Sequence, residues 1–305
     1  MILVAGEALV DLLVQPDGRV TAVPGGGPFN TARTIGRLGG EVAFLGRLST
    51  DRFGQRLRAE LAADAVDLRF VESTDDPTTM AIAELDEDGS ATYRFLTEGT
   101  SAPGLGPSAA AAAFGSLPVA VHIGTLGLVL EPMADVLAGA IGTGGTSIAM
   151  VDLNIRSAAI NDAGVFRGRL DRVLAVADVI KASVEDLDFV FPGLEPIAAA
   201  TSLSSADGAT VLVTNGARAV SIVSRAWVGE VGVPQTDVVD SVGAGDAFGG
   251  GFLAWWVEHG LGRRELGDPA PLAEAVARAI DVATLTVQQA GADPPRRSEV
   301  GWPPL

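Results

Sequence analysis

The chain contains no cysteine and only two histidines. Disulfides, thiolate catalysis and cysteine-ligated zinc or iron–sulfur centres are therefore excluded. His122 lies in an apolar run and His259 near a helix end, so both read as structural rather than as metal ligands. Lysine is scarce too: Lys181 is the only one among 21 basic residues. No Gly-x-x-x-x-Gly-Lys-Ser/Thr occurs, which rules out a Walker-type phosphate loop and, with it, the lysine–glutamate pairing of protein kinases. A nucleotide would have to be held by backbone and helix dipole. Basic charge is short overall, with 38 acidic residues and a formal net charge of −17. That balance argues against nucleic acid or an anionic membrane as partner. No apolar run is long and clean enough to span a bilayer. Met1-Ile-Leu-Val-Ala-Gly-Glu7 has no basic leader and reads as a strand rather than a signal peptide, so a cytoplasmic location is expected.

What is abundant is glycine, 38 residues in all, and it gathers at two corners. The first is Asp240-Ser-Val-Gly243-Ala244-Gly245-Asp246-Ala-Phe248. Phe248, Phe252, Trp255, Trp256 and His259 follow at helical spacing, with Gly260 as a C-terminal stop. Backbone N–H groups of Gly243, Ala244 and Gly245 can point inward without obstruction, and the helix N-terminus adds partial positive charge. Such a corner attracts an anion, usually phosphate. Asp246 beside it has two readings: a first-turn acid that complements the dipole, or a base that takes a hydroxyl proton during phosphoryl transfer. Gly249, Gly250 and Gly251 each cost about 1 kcal/mol relative to Ala inside a helix, so something is expected to approach the backbone there.

The second corner is Pro24-Gly25-Gly26-Gly27-Pro28-Phe29-Asn30, again leading into a helical run. Asn30 can bond sugar hydroxyls or cap the helix. Asp11 is expected just past the carboxyl end of the first strand, where open α/β sheets place ligands. Leu12–Val14 with Arg19–Val23, and Thr79–Leu85 with Ala91–Leu96 around Asp86–Gly89, read as two hairpins. Together they could form a small sheet over the ligand, a lid spanning about residues 11–24 and 78–98.

From Val119 onward the pattern is β–α–β, with strands at Val119–Ile123, Ser147–Leu153, Asp178–Lys181 and Thr210–Val213. Polar clusters follow three of them: Asp152-Leu-Asn154-Ile-Arg156, then Lys181-Ala-Ser183-Val-Glu185-Asp186, then Thr214-Asn215-Gly216. Strand ends of this kind suit a nucleotide and Mg²⁺. Ser183 and Asp186 also match a capping box, and both readings can hold. The last long helix is expected at about Pro271–Gln289, and the proline-rich tail from Arg296 reads as loosely attached. There is no internal repeat and no linker.

Taken together, these stretches resemble the PfkB-type sugar kinases of the ribokinase-like superfamily over nearly the whole chain. Gly25-Gly26-Gly27-Pro-Phe-Asn30 through Gly39, with Phe44-Leu-Gly46 and Asp51-Arg-Phe-Gly54, is similar to that family's N-terminal motif; Asp240–Phe248 is similar to its C-terminal one. The resemblance implies one domain over residues 1–305: a three-layer α/β fold with a mostly parallel central sheet flanked by helices and a small β-sheet lid. It implies that Asp246 is the catalytic base and that Gly243, Ala244 and Gly245 form the anion hole. Asp11, Gly26, Gly27, Asn30 and Arg156 would bind the sugar; Lys181, Ser183, Thr214 and Gly216 would bind ATP. Where the family usually shows Asn-x-x-Glu, tied to Mg²⁺, this chain has Ser183-x-x-Asp186, and Glu185 could substitute for Asp186. Asp240, Val242 and the loop near Gly291 fall where some members bind a monovalent cation such as K⁺. A homodimer through the lid is a further implication.

Within the family, Gly6-Glu-Ala-Leu-Val-Asp11 and Asp152-x-Asn-x-Arg156 look more like fructokinases and 2-keto-3-deoxygluconate kinases than ribokinases or nucleoside kinases. Two rivals remain. Gly243-Ala-Gly245-Asp-Ala-Phe-Gly249 approximates a dinucleotide fingerprint, but it lies late in the chain and Asp246 would face the pyrophosphate. A non-catalytic sugar-binding relative is the other, against which the intact Asp246 and its glycines speak.

Overall fold

Apolar residues of the N-terminal run alternate between two faces, and the strand they form, β1 (Ile2–Ala5), shows how the molecule is layered. Leu3 and Ala5 enter one buried cluster while Ile2 and Val4 enter another. Both faces are covered, as a near-continuous apolar strand in a parallel sheet requires. The computed structural model describes residues 1–86, 91–143, 145 and 147–303. The chain continues through β2 (Leu9–Val14), β3 (Val20–Gly25), α1 (Gly27–Arg37), β4 (Val42–Ser49), α2 (Arg52–Ala63), β5 (Val71–Thr74), β6 (Met80–Leu85) and β7 (Ala91–Leu96). Next come α3 (Pro107–Gly115), β8 (Ala120–Gly124), α4 (Met133–Ala140), β9 (Ile148–Asp152), α5 (Ala163–Leu174), β10 (Val179–Ser183) and α6 (Val184–Val190). The last part holds α7 (Pro196–Asp207), β11 (Thr210–Thr214), β12 (Val220–Val223), β13 (Val228–Val231), α8 (Ala244–Glu258) and α9 (Pro269–Thr286).

Nine strands form one sheet in the order β13-β12-β11-β10-β9-β8-β1-β4-β5, parallel except for β12 and β13 at one edge. The carboxyl ends of β1, β8, β9, β10 and β11 therefore face the same way, and the polar clusters expected there share one rim. No helix among the described residues is long and apolar enough to cross a membrane.

The two expected hairpins exist, and parallel pairing of β2 with β6 joins them into a separate four-stranded sheet, β3-β2-β6-β7. Most of the turn expected at Asp86–Gly89 lies outside the described residues. Asp11 is corrected: it sits inside β2, opposite Val23 and Ala81, not in a loop after β1. Strand alternation sends Leu9, Asp11 and Leu13 to one face of this small sheet, the face that Tyr93 and Phe95 share through their register with Ala83 and Ala81.

The glycine run of α8 is explained by packing. A Cβ on Gly250 would come 2.7 Å from Thr34 Cβ of α1, and one on Gly251 would come 3.1 Å from Val282 Cγ2 of α9. The close approach is that of two neighbouring helices, not of a ligand.

The tail is corrected as well. Arg297 donates to Glu258 at the end of α8 and to the Leu38 carbonyl at the end of α1, and its guanidinium lies 5.7 Å from the Trp302 ring centroid. Trp302 is buried. The segment thus staples together the far ends of two helices whose N-termini meet at the site. Trp302→Ala is expected to cost about 3 kcal/mol, the low end for burying and then losing a large aromatic. Urea denaturation reads this directly, and an unchanged midpoint would mean that Arg297 alone holds the tail.

Candidate active site

Two helix N-termini face each other here. Gly243, in the left-handed conformation (φ 77°), turns the chain into α8 and is followed closely by Asp246. The Ala244 amide takes up the Ser241 carbonyl at 3.3 Å. The amides of Gly243, Gly245 and Asp246 have no hydrogen-bond partner among the described residues. Of the three amides expected to receive an anion, Gly243 and Gly245 are open and Ala244 is turned to its own loop, while the Asp246 amide is open as well.

Asp246 is buried and its Oδ2 accepts from Asn30 Nδ2 of α1 at 2.8 Å. The Asn30 side chain is thus neither a cap nor solvated, and its Oδ1 is a buried acceptor without a donor among the described residues. Burial raises the Asp246 carboxyl to about 7; the Asn30 bond and the Lys181 and Arg156 charges oppose the rise, while Asp152 adds to it. A carboxylate poised near neutrality beside unpaired amides can accept an alcohol proton while the amides hold an oxyanion.

Around this pair lies a cleft of about 570 Å³. It brings together Asp11, Gly26, Gly27, Asn30, Arg156, Gly243, Gly245 and Asp246 from positions far apart in the chain. Gly25 has no room for a side chain because a Cβ would collide with the Asp11 carboxylate. Burial raises Asp11 to about 6, with the Arg156 charge pulling the other way. Arg156 is exposed, and its guanidinium makes no hydrogen bond among the described residues. The small sheet contributes Tyr93 and Phe95, whose rings stack at 6.3 Å.

The residues expected to serve the nucleotide do not line this cleft but lie on the same rim. Ser183 and Thr214 are register partners at the ends of β10 and β11, and Gly216 (φ 53°) turns the chain toward β12. Lys181 is buried, its Nζ 2.9 Å from both carboxylate oxygens of Asp152 on β9. Burial disfavours the ammonium, but Asp152 outweighs it and holds Lys181 protonated above its ordinary range. The amine lies directly beneath the anion corner: a Cβ on Gly245 would come 3.0 Å from it.

Asp186 realises the capping box. Its Oδ2 accepts from the Ser183 amide at 2.8 Å and its Oδ1 from the Ile155 amide at 2.7 Å. With both oxygens taken and the residue buried, Asp186 does not fit direct metal ligation. Glu185, exposed on the same turn and without a partner among the described residues, is the carboxylate left for that role. Asp240 is likewise engaged by two amides, Val242 at 3.0 Å and Gly291 at 2.9 Å, so it ties the two loops at the expected monovalent-cation position.

Sequence reasoning missed Glu7 and Thr125. Thr125 (φ 55°) accepts from Asn154 (φ 35°) at 3.2 Å, so two non-glycine residues in the left-handed region flank the cleft. Such backbone strain gathers at ligand sites. His122 is buried in the sheet and held neutral by burial, its value pulled down to about 3, and His259 stacks on Trp255.

Comparison with known proteins identifies the family. Residues 1–298 match the family model described as pfkB family carbohydrate kinase. A fructokinase of Klebsiella pneumoniae is 33% identical over 268 residues, covering 85% of each chain. The structure of a fructokinase with bound ATP from Xylella fastidiosa superimposes with a TM-score of 0.89 at 29% identity, covering 98% of this chain and 96% of that one. A Vibrio cholerae fructokinase with fructose, ADP and calcium ion bound gives 0.82 at 25% identity, over 95% and 94%. The chain belongs to the pfkB family of carbohydrate kinases, enzymes that move a phosphoryl group from ATP to a sugar hydroxyl.

Proposed function

We propose that the acceptor is fructose and that Asp246 is the base that activates its hydroxyl. The observation that carries this reading is the Asn30–Asp246 pair, set between two helix N-termini and beside unpaired amides. Asn30 fixes one carboxylate oxygen, leaving the other for the incoming alcohol, and its own orphaned Oδ1 suits a sugar hydroxyl donor. The Gly243 and Gly245 amides meet the charge that develops on the transferred group. Asp11 and Arg156 bind further hydroxyls, and Gly26 and Gly27 let the sugar approach the backbone. Lys181, Ser183, Thr214 and Gly216 form the nucleotide side.

A divalent cation, Mg²⁺ in this reading, would be held by Glu185, in keeping with its preference for few protein carboxylates. When bound it neutralises phosphate charge. K⁺ near Asp240 would order the loop that leads into α8. The lid excludes water, and its other face, which carries Leu12, Val14, Ile82 and Leu96, pairs two subunits. The kinase domain spans residues 1–305.

The test is ADP release measured across a panel of sugars. Fructose should give the highest kcat/KM. Arg156 favours one second reading, because an unpaired guanidinium in the cleft also suits an acidic sugar such as 2-keto-3-deoxygluconate. Faster turnover of that acid than of fructose would replace the first assignment with the second.

A further inference from the structure

One buried carboxylate has no part in the mechanism above. Glu7 follows β1 and is fully buried, yet no basic side chain among the described residues lies within ion-pair distance of it. Backbone N–H groups take the place of a cation. Gly27 donates to Oε1 at 3.1 Å and Gly127 to Oε2 at 2.9 Å, and the residue's own amide acts on the carboxylate as well. Gly27 is the first residue of α1, so the carboxylate also faces the positive end of that helix.

The surrounding chain is shaped to admit this side chain. Gly6 (φ 147°) lies so close to Pro28 that a Cβ would come 2.5 Å from its Cγ. Gly26 (φ 109°) presses on the Glu7 carbonyl, where a Cβ would come to 2.8 Å. Gly127 belongs to the Thr125–Leu128 turn that follows β8. One carboxylate thereby joins three segments that line the cleft: the end of β1, the first turn of α1 with Asn30, and the turn with Thr125. Gly27 in turn lies against the reacting group, since a Cβ there would come 3.2 Å from Asp246 Oδ1. A leucine or methionine would fill the same volume without the cost of burying a carboxylate, so packing alone does not account for Glu7.

We infer that Glu7 is a positioning residue for phosphoryl transfer: by holding the Gly27 and Gly127 amides, it fixes the sugar corner against Asp246. This inference rests on the sugar-kinase reading of the cleft. Burial raises the Glu7 carboxyl to about 8, and the nearby Asp246 charge adds to the rise, against the pull of the amides.

Glu7→Gln tests it. The side chain keeps its size, but its NH₂ must face one of the two amides, donor against donor. A displacement on the order of 1 Å at a reacting corner can cost about 10²-fold. We expect kcat/KM for the sugar to fall about tenfold or more, with KM for ATP within about twofold of wild type. Glu7→Asp keeps the carboxylate but falls a methylene short, and should show a smaller loss of the same kind. If E7Q leaves both kcat and the sugar KM within about twofold of wild type, whatever its unfolding midpoint, Glu7 serves folding alone and the inference fails. If E7Q does not fold, E7D read by the same limits decides. Wild type that phosphorylates no sugar would sink the reading of the cleft itself; active wild type with indifferent variants would sink only the role of Glu7.

Discussion

With Asp246 as the proposed base, Asp246→Asn is expected to lower kcat by about 10²–10⁴-fold while ATP still protects the protein against thermal unfolding. The size of the effect follows from what the amide can and cannot do. It can still pair with Asn30, because each side chain has both a donor and an acceptor, so the two helix ends remain docked. It cannot accept a proton, so attack must proceed from a neutral alcohol. On the proposed reading the same carboxylate should set the pH dependence. Its ionised form is the active one, and burial raises it to about 7, so kcat/KM should be full above that value and fall as pH drops through it. Asp11, raised to about 6, adds a second loss further down if the sugar needs its charged form. Turnover within about tenfold of wild type in the asparagine variant would remove Asp246 from the chemistry.

Lys181→Met should produce the largest loss of stability of any single change considered. The ammonium and the Asp152 carboxylate are both buried and bonded to each other at 2.9 Å. Removing one partner strands the other charge in the interior, which costs about 3–5 kcal/mol. Asp152 then also faces Asp246 and Asp186 without the cation that balanced them. The loss of Lys181 removes an influence that lowers Asp246, so the acid limb of activity should move to higher pH. A companion Asp152→Asn change removes the stranded charge and should recover most of the stability without restoring nucleotide affinity. Urea denaturation of the single and double variants decides the matter. Equal midpoints for wild type and K181M would show that the pair contributes nothing to holding the rim together.

Much of this site was legible before any coordinates. The glycine corners announced themselves because open backbone at a helix start has few other uses, and Asp246 and Asn30 followed from position. Arrangement in space was harder. Asp11 was expected after β1 because it follows an apolar run closely; β2 begins at Leu9, and alternation then turns Asp11 toward the cleft. Glu7 was passed over because a carboxylate after four apolar residues looks like a strand end reaching solvent. Nothing local reveals that amides 20 and 120 residues away will close over it. Thr125 and Asn154 adopt left-handed backbone without being glycine, so only tertiary context places them. Gly250 carried a true signal of close approach whose cause, helix packing, the chain alone does not distinguish from a ligand. The capping box at Ser183 was visible, but not that the Ile155 amide would take the second oxygen of Asp186.

The solitary lysine has a use beyond its ion pair. Reagents that acylate side-chain amines find only one target in the whole polypeptide, and it is shut inside the fold and protonated. Acylation can proceed only during moments when the floor beneath the anion corner opens, so its rate counts those openings residue-specifically. Mass spectrometry of that single peptide, with and without nucleotide, would turn the protein into its own clock for breathing beneath the first turn of α8.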